Sequence, residues 1–435
     1  MRDVLTPGHP RYDAERTGFN RVVDHRPALV VVPADVADVR AAVRHAAHHD
    51  LPIAIHATGH GVTVPADGTL MIATRRLDAV SVDPVARTAT VAAGVRWRQV
   101  IDAAAPHGLA PLNGSSPSVG AVSYTLGGGL GPVARTFGYA ADHVRRFRLV
   151  TADGELRTVT PDEHPELFWA LRGGKSGFGV VVEMEIGLVP LPRLYGGALF
   201  FDGADAARVV AGWREWLETV PEELTSSLAL LRLPADAPPP LRGRFVVHVR
   251  IAYTGPAADG ERLLRPLRAL AAPVVDDVGE MPYRDVAAIH RDPDGPLAYH
   301  EHSALLHHLD AAGVDAFLAV AVPAAADHGL LVELRHLGGA LARPPEVPSA
   351  IDRRDAAFCL MALTPAGADP HPRRLLLKAI APWATGGVYV NFLSGPDAAA
   401  DIPRAHTPPT RDRLRAIRRT YDPAGRFHRT PEEAS

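Results

Sequence analysis

The chain has 435 residues, which is enough for two or three domains and a large apolar core. Hydrophobic residues make up 47% of it and charged residues 22%, a balance that excludes global disorder. The formal net charge is -3, so positive and negative charges nearly cancel. This balance argues against nucleic-acid binding through a basic surface. A single cysteine, Cys359, excludes an internal disulfide and cysteine-based metal sites. No apolar run approaches the roughly 20 residues of a membrane span and no signal peptide is apparent, so we expect a cytoplasmic protein.

The first part of the chain alternates short apolar runs, amphipathic stretches and glycine-rich turns, a pattern typical of an α+β fold. Asp35 is predicted to cap one helix and Gly108 to end another. Predicted strands cover residues 28–32, 53–55, 69–73, 79–82, 88–91, 146–151, 155–159 and 180–188. Predicted helices cover residues 35–49, 97–107 and 165–171. Pro190 and Pro192 then mark a domain boundary.

The chain beyond Pro192 has fewer glycine clusters and a different pattern. Strands are predicted at residues 196–201, 228–233, 245–253, 330–337 and 356–363, and helices at 204–217, 260–270 and 314–321. This order predicts a second domain, made of an antiparallel sheet with helices on one side. The last 50 residues are predicted to hold a short strand at 388–393 and a helix at 411–420.

Residues 113–131 are the least ordinary segment, because five glycines between Gly120 and Gly131 make poor core and poor helix. Residues 129–134 fit the Gly-x-Gly-x-x-Ala dinucleotide fingerprint, but no alternation of strands and helices surrounds them, so that match is weak. No catalytic metal is predicted either. His56 and His60 have a helical spacing where glycines disfavour a helix, and His300 and His302 would share one face of a strand, but 21 histidines make such pairs expected by chance.

Several motifs together resemble one family far more specifically than any one of them does. They are Pro-Ala-Asp-Val-Ala-Asp-Val at 33–39, Ala-Thr-Gly-His-Gly at 57–61, Gly-Gly-Gly-Leu-Gly at 127–131, Leu-Phe-Trp-Ala-Leu-Arg-Gly-Gly at 167–174, Phe-Gly-Val-Val at 178–181, Tyr-Val-Asn-Phe at 389–392 and Tyr-Asp-Pro-Ala-Gly-Arg-Phe at 421–427. The chain resembles the FAD-linked oxidoreductases of the berberine bridge enzyme type, in the vanillyl-alcohol oxidase superfamily with a PCMH-type FAD-binding domain. The resemblance is dense over residues 22–190, clear again from 386 to 427 and thin between.

The resemblance implies a two-domain α+β fold. Residues 1–192 would form the FAD-binding domain with its core at 22–190, residues 193–385 the substrate-binding domain covering the flavin, and residues 386–435 a segment returning to the FAD domain. Turns of small residues suit FAD, because their backbone N–H groups can meet its pyrophosphate without steric obstruction. By resemblance, the cofactor would be lined by Ala57, Thr58, Gly59, His60, Gly61, Ser115, Ser116, Val119, Gly120, Gly177, Gly179, Val180, Val181 and Asn391.

His60 stands where the family bonds an imidazole nitrogen to the flavin 8α-methyl carbon, which raises the flavin's reduction potential. Many relatives form a second bond from a cysteine, but this chain has Ser116 at that position. A hydroxyl is a much poorer nucleophile than a thiolate, so we predict a flavin linked only through His60. Cys359, inside an apolar run, is predicted to pack as a small hydrophobe.

The resemblance also suggests catalytic candidates. Val119 matches a small aliphatic residue that leaves room for dioxygen, which implies an oxidase. Leu130 stands where relatives often carry a tyrosine over the substrate. Tyr389 remains as a possible base if its pKa is lowered, Asn391 would orient the ring or the substrate, and Tyr124 replaces a histidine of some relatives. Packing between the domains is the alternative for each.

Substrate contacts are expected from the sheet of the second domain. Alternation along residues 246–252 places His248 and Arg250 on one face, and His336 and Arg353 are similar candidates. An arginine or histidine there could hold an anionic or phenolic group, although a salt bridge is the commoner role.

The predicted function is an FAD-dependent oxidase that takes a hydride from a small organic molecule, such as a secondary metabolite, and passes electrons to O2. The expected partners are therefore the substrate and O2, without nucleic acid or membrane, and the sequence leaves the oligomeric state open. The alternative is a non-redox flavoprotein that catalyses a cyclisation or sequesters a metabolite, suggested by Leu130 and Ser116 at positions where relatives carry reactive groups.

Overall fold

The computed structural model describes residues 3–427, so the end of the predicted C-terminal segment, residues 428–435, lies outside the described residues. Its sheets separate along the chain: a four-stranded, a five-stranded and a two-stranded sheet (Leu109–Ala110 with Val189–Pro190) form up to residue 190, and one large sheet begins at Arg193. The α+β prediction is confirmed. The domain boundaries at 192 and 385 stay predictions.

The first part combines a four-stranded sheet in the order β1-β2-β4-β3 with a five-stranded antiparallel sheet in the order β5-β6-β10-β8-β9. Its strands are β1 (Val4–Leu5), β2 (Leu29–Val31), β3 (Ile53–His56), β4 (Leu70–Ala73), β5 (Val80–Asp83), β6 (Thr88–Ala92), β7 (Leu109–Ala110), β8 (Val144–Val150), β9 (Leu156–Val159), β10 (Val180–Gly187) and β11 (Val189–Pro190). Its helices are α1 (Tyr12–Arg16), α2 (Val36–His48), α3 (Trp97–Ala104), α4 (Ala121–Leu126), α5 (Ala134–Phe137) and α6 (Pro165–Leu171). As predicted, the Asp35 carboxylate caps α2 by accepting from the Asp38 N–H, and Gly108 follows α3 in a left-handed conformation.

The second part is an eight-stranded sheet in the order β15-β12-β14-β13-β18-β19-β17, with β16 paired to β12. Its strands are β12 (Arg193–Asp202), β13 (Leu224–Arg232), β14 (Phe245–Tyr253), β15 (Val275–Asp276), β16 (Gly279–Pro282), β17 (Tyr299–Leu306), β18 (Leu331–His336) and β19 (Phe358–Pro365). The remaining helices are α7 (Ala206–Trp216), α8 (Ala257–Arg268), α9 (Ala311–Asp327), α10 (His371–Ile380) and α11 (Pro408–Tyr421). The pairings within this sheet are antiparallel, as predicted.

The large sheet has one face covered by helices. Val247, Val249 and Ile251 of β14 pack in the same apolar cluster as Trp213 of α7 and Phe317 of α9. Because side chains alternate along a strand, the neighbouring positions on each strand turn to the opposite face, toward the first part of the chain. That second face supplies polar side chains to the site described below.

Two local predictions are wrong. The segment rich in glycine contains the short helix α4, because Gly120 and Gly127 flank that helix rather than interrupting it. Much of this segment is also buried, since Gly114 and Gly129 leave room for the Tyr124 ring: an added Cβ would lie 2.9 and 2.5 Å from its atoms.

Residues 388–393 were expected to form a strand and instead contain a 3-10 turn at Val390–Phe392. The backbone of Tyr389 bonds to the Ser303 hydroxyl through both its N–H and its C=O, so it has no strand partner there. Just after this segment, Ser394 forms an isolated bridge with Glu301 of β17. This turn redirects the chain so that Asn391 faces α4.

None of the helices in the described part of the chain is both long and apolar enough to cross a membrane. Among residues 3–427, no three histidine, cysteine, aspartate or glutamate side chains are arranged so that they could hold a metal ion. His300 and His302 do share strand β17, where they bond to Asp397 and Asp401.

Candidate active site

A cavity of about 570 Å³ lies between the glycine-rich turns of the first part and the polar face of the large sheet. Such a volume is within the range of small-molecule and cofactor sites. Of the predicted site residues, it is lined by Ala57, Thr58, Gly59, His60, Gly61, Ser115, Ser116, Val119, Gly120, Tyr124, Leu130, Gly177, Gly179, Val181, Arg250 and Asn391. The structure therefore brings together segments that are more than 300 residues apart in sequence.

One wall of the cavity consists of small residues in tight turns. Gly59 has a φ of +66°, and an added Cβ would lie 2.6 Å from the Gly18 Cα, so this turn admits only glycine. Gly179 is similar, because its Cβ would lie 2.7 Å from the Val150 carbonyl oxygen. These turns place backbone close to the cavity, which suits the extended dinucleotide of FAD.

Cations line the same cavity beside these turns. They are Lys175, Arg411, Arg415 and Arg418. The Arg411 Nε is buried and has no hydrogen-bond partner among residues 3–427. A doubly charged pyrophosphate would provide acceptors for such groups, so the residues present fit FAD.

His60 sits in the cavity wall as a neutral, positioned imidazole. Its ring stacks on Phe19 with centroids 4.0 Å apart, and burial lowers its pKa to about 4. The Thr58 hydroxyl accepts from the Gly120 N–H at 3.2 Å and lies 2.9 Å from His60 Nδ1, to which it can donate. His60 Nε2 lies 3.3 Å from the Ser118 hydroxyl, which in turn pairs with Ser116 at 2.7 Å. Because the Thr58 hydroxyl donates to it, Nδ1 is the unprotonated nitrogen of this neutral ring.

Asn391 joins the C-terminal segment to the glycine-rich loops. Its Oδ1 accepts from the Lys175 ammonium at 2.6 Å, and its Nδ2 donates to the Tyr124 carbonyl at 2.8 Å. Lys175 also donates to the Ser123 carbonyl at 2.9 Å, and burial lowers its pKa to about 8. Gly127 makes room for this network, because an added Cβ would lie 2.1 Å from Asn391 Oδ1.

Tyr389 lies behind the cavity rather than in its lining. It packs against Phe392 and Tyr139 in an apolar cluster, and its hydroxyl is 3.4 Å from Asn391 Nδ2. Burial raises its pKa well above 10, and the neighbouring tyrosines add to that shift. A base needs the opposite shift, so the geometry does not favour Tyr389 as the proton acceptor.

The opposite wall carries charges from the large sheet. Glu333 on β18 forms two ion pairs, one with Arg250 on β14 at 2.8 Å and one with Arg335 on its own strand at 2.9 Å. Burial alone would raise the pKa of Glu333, but the two arginines outweigh it and hold that pKa well below its usual range. Glu301 on β17 lines the cavity as well, and burial raises its pKa to about 8.

Besides Tyr389, four predicted site residues do not line the cavity. His248 stacks on Phe200 at 4.1 Å, on the outer part of the sheet beyond the cavity. His336 lies 3.2 Å from an Arg135 nitrogen, Arg353 packs against Gly387, and Val180 faces the apolar core because β10 alternates. Their predicted roles in substrate or cofactor binding gain no support from this geometry.

Four residues of the site were not predicted from the sequence: Lys175, Glu301, Glu333 and Arg335. For three of them the sequence holds a signal. Lys175 is one of only two lysines in a chain rich in arginine. Glu333 and Arg335 alternate with apolar residues in a strand, and charges in such a strand are rarely buried without a partner.

The chain is similar to known FAD-linked proteins. Residues 27–160 match the family model described as "FAD binding domain". The chain is 29% identical to (R)-6-hydroxynicotine oxidase of Paenarthrobacter nicotinovorans over 98% of this chain and 95% of that protein. Two solved structures share the fold: BBE-like 1 of Physcomitrella patens, with a TM-score of 0.84 and 20% identity, and glucooligosaccharide oxidase of Acremonium strictum, with 0.81 and 22%. Each alignment covers 98% of this chain and 96% of the other.

The chain is therefore an FAD-linked oxidoreductase that contains a PCMH-type FAD-binding domain and shares the fold of BBE-like 1 over 98% of its length. Its cofactor is FAD.

Proposed function

We propose that this enzyme is an oxidase that removes a hydride from a C–H bond of a small organic substrate while an adjacent O–H or N–H loses a proton. When bound, FAD supplies the hydride acceptor and the route for two electrons to O2, which leaves as hydrogen peroxide. The observation that carries the proposal is a single cavity with a cofactor wall of small residues and an opposing wall of charged sheet residues. A secondary metabolite is our proposal for the substrate.

The flavin is proposed to be covalently linked through His60. A neutral imidazole with an unprotonated Nδ1 is the nucleophile that such a bond requires. Burial keeps the ring of His60 neutral, and contacts with the Thr58 and Ser118 hydroxyls hold it in place, which supports this proposal. The related glucooligosaccharide oxidase has a 6-S-cysteinyl, 8α-N1-histidyl FAD. In this chain Ser116 bonds to Ser118, and the buried Cys359 lies on β19 away from that turn, so we propose one link instead of two.

Glu301 is our proposed proton acceptor in place of Tyr389. It lines the cavity, and its pKa of about 8 lies near the working pH of a general base. Val119 adds a small aliphatic side chain to the cofactor wall, where we propose that it leaves room for O2. Asn391, held by Lys175, would orient the ring or the substrate.

An anaerobic mixing experiment tests this function. Purified enzyme is mixed without oxygen with a panel of small alcohols, amines and phenols, and the flavin absorbance near 450 nm is followed. We expect bleaching by at least one member and one peroxide per substrate after air is admitted. Product formed without bleaching would instead support the non-redox alternative.

A further inference from the structure

A buried group of three charged side chains in the cavity wall contains more positive than negative charge. Arg250 and Arg335 both bond to the one carboxylate of Glu333, and the three side chains are at least nine-tenths buried. Two arginines and one glutamate leave one positive charge without a partner inside the group. A buried unpaired charge is costly, so this arrangement calls for an anion.

Other titratable groups nearby do not cancel this charge. Glu301 is mostly protonated at neutral pH, because burial raises its pKa to about 8. His290 is uncharged, since burial and the two arginines keep its pKa well below its usual value. Asp292 also lines the cavity and acts on Arg335, but it is half-buried, so solvent screens its charge more strongly than that of the three buried side chains.

Donor atoms in the cluster are also unused. The Arg250 Nε is buried and has no hydrogen-bond partner within the described part of the chain, although Arg250 lines the cavity. Arg335 contributes a guanidinium that lies 4.7 Å over the Phe392 ring, at the junction of the sheet with the C-terminal turn. An oxyanion is the ligand that such planar, multiple donors bind best.

Resting on the proposed function, we infer that Arg250 and Arg335, held by Glu333, form an anion subsite and that the substrate carries a carboxylate or another oxyanion. Its apolar body would lie against Leu130, Met361 and Leu363, which line the same cavity. Glu333 is then a positioning residue: it holds the two guanidinium groups side by side, and the ligand supplies the charge that they lack.

The experiment uses the yellow holoenzyme, with FAD content measured first. Benzoate, benzamide and benzylamine are titrated at pH 7.5, and binding is followed through the change in flavin absorbance. We expect benzoate to bind at least tenfold more tightly than benzamide and benzylamine. Equal affinities, or tightest binding of benzylamine, would overturn the inference.

Variants locate the subsite. We expect Arg250→Gln to weaken benzoate binding at least tenfold while benzamide affinity stays within twofold, and Arg250→Lys to recover part of the loss. Arg193→Gln, at an exposed arginine of β12, serves as the control and should change neither affinity. Unchanged benzoate binding by folded Arg250→Gln would contradict the inference, and should that variant fail to fold, the three ligands on the wild-type enzyme decide.

The two proposals fail differently. Protein that takes up no FAD refutes the proposed function, whereas an FAD-containing enzyme that makes peroxide but does not prefer benzoate refutes the anion subsite alone.

Discussion

His60 is the residue on which the chemistry of the cofactor wall depends. Its stacking on Phe19 and its low pKa describe an imidazole that stays neutral across the physiological range. The sequence could single out His60 only through the motif around it, because one histidine among 21 has no distinguishing local pattern. The structure adds the hydroxyls that hold the ring.

His60→Ala tests the proposed link. We expect the variant to retain its fold and to bind FAD, but to release the yellow colour into the supernatant on acid precipitation, because no imidazole remains to hold it. The wild type should keep its colour in the pellet. His9→Ala, at an exposed histidine near the N-terminus, is the matched control and should behave like the wild type. Colour in the wild-type supernatant would show that the link is absent.

The proposed role of Glu301 as proton acceptor predicts how the activity depends on pH. As proton acceptor it must be ionised, so kcat/KM should rise with pH and level off above about 8, following its pKa. We expect Glu301→Gln to lower kcat by roughly 10²-fold or more and to remove that pH dependence. A variant that keeps the wild-type profile would assign the proton to another group.

The same group also affects stability. The folded pKa of Glu301 lies above its unfolded value, so its contribution is fully present below about pH 4.3 and is lost as pH rises through about 8. Glu301→Gln should therefore gain stability over the wild type as pH rises across this window, by about 2 kcal/mol or more at pH 8.5, measured by urea unfolding.

At the scale of elements, the turns were easier to predict than their surroundings. Glycine spacing indicates where the chain turns, but the sequence does not say what the missing side chains make room for. Around α4 the answer is Tyr124 and Asn391, contributed by contacts made only in the folded chain. Residues 388–393 resemble a strand in sequence for a similar reason. Their apolar side chains pack into two separate clusters, while the Tyr389 backbone bonds to Ser303 and the Asn391 side chain bonds to α4.

Gly127→Ala tests whether the missing side chain at the end of α4 makes room for Asn391. Its φ is negative, so alanine is allowed by the backbone, but the added Cβ would lie 2.1 Å from Asn391 Oδ1. We expect a loss of about 1–3 kcal/mol through overpacking, together with weaker FAD binding as Asn391 and Lys175 shift. Gly295→Ala, where nothing lies within 4 Å of the added Cβ, is the control and should be nearly neutral.

At the scale of the molecule, the two sheet systems are joined by specific polar contacts. The Tyr283 hydroxyl, from the second part, lies 2.7 Å from the Pro111 carbonyl and 2.8 Å from Asn113 Oδ1 of the first. The buried Arg135 reaches in the other direction and donates to the carbonyls of Leu224 and Leu337. The cavity depends on these contacts because its two walls come from different sheets.

Tyr283→Phe should lower the free energy of unfolding by about 1–3 kcal/mol, because it removes the hydroxyl that donates to the Pro111 carbonyl and to Asn113 Oδ1 and leaves these buried acceptors without that donor. Urea unfolding followed by circular dichroism measures the change. Tyr195→Phe, whose partner Glu261 is largely exposed, provides the comparison and should cost less. Equal losses in the free energy of unfolding would mean that the Tyr283 contact between the two parts stabilises the fold no more than the contact of Tyr195 with Glu261 does.

Fold class and the cofactor wall could be predicted from the sequence, because glycine-rich motifs and strand periodicity are local. The substrate wall could not, apart from Arg250. Its residues come from β14, β17, β18 and β19, and only the order of strands in the sheet makes Glu333 a neighbour of Arg250. Long-range pairing of this kind leaves no trace in a single sequence.

We propose that the glycine-rich turns of this enzyme hold one FAD bonded to His60. Intact-mass spectrometry of the purified, denatured protein tests this proposal. We expect a single species heavier than the polypeptide by one FAD, with the added mass absent in His60→Ala. Denatured wild type at the bare polypeptide mass would contradict the covalent bond, and colourless native protein that takes up no added FAD would contradict the proposal as a whole.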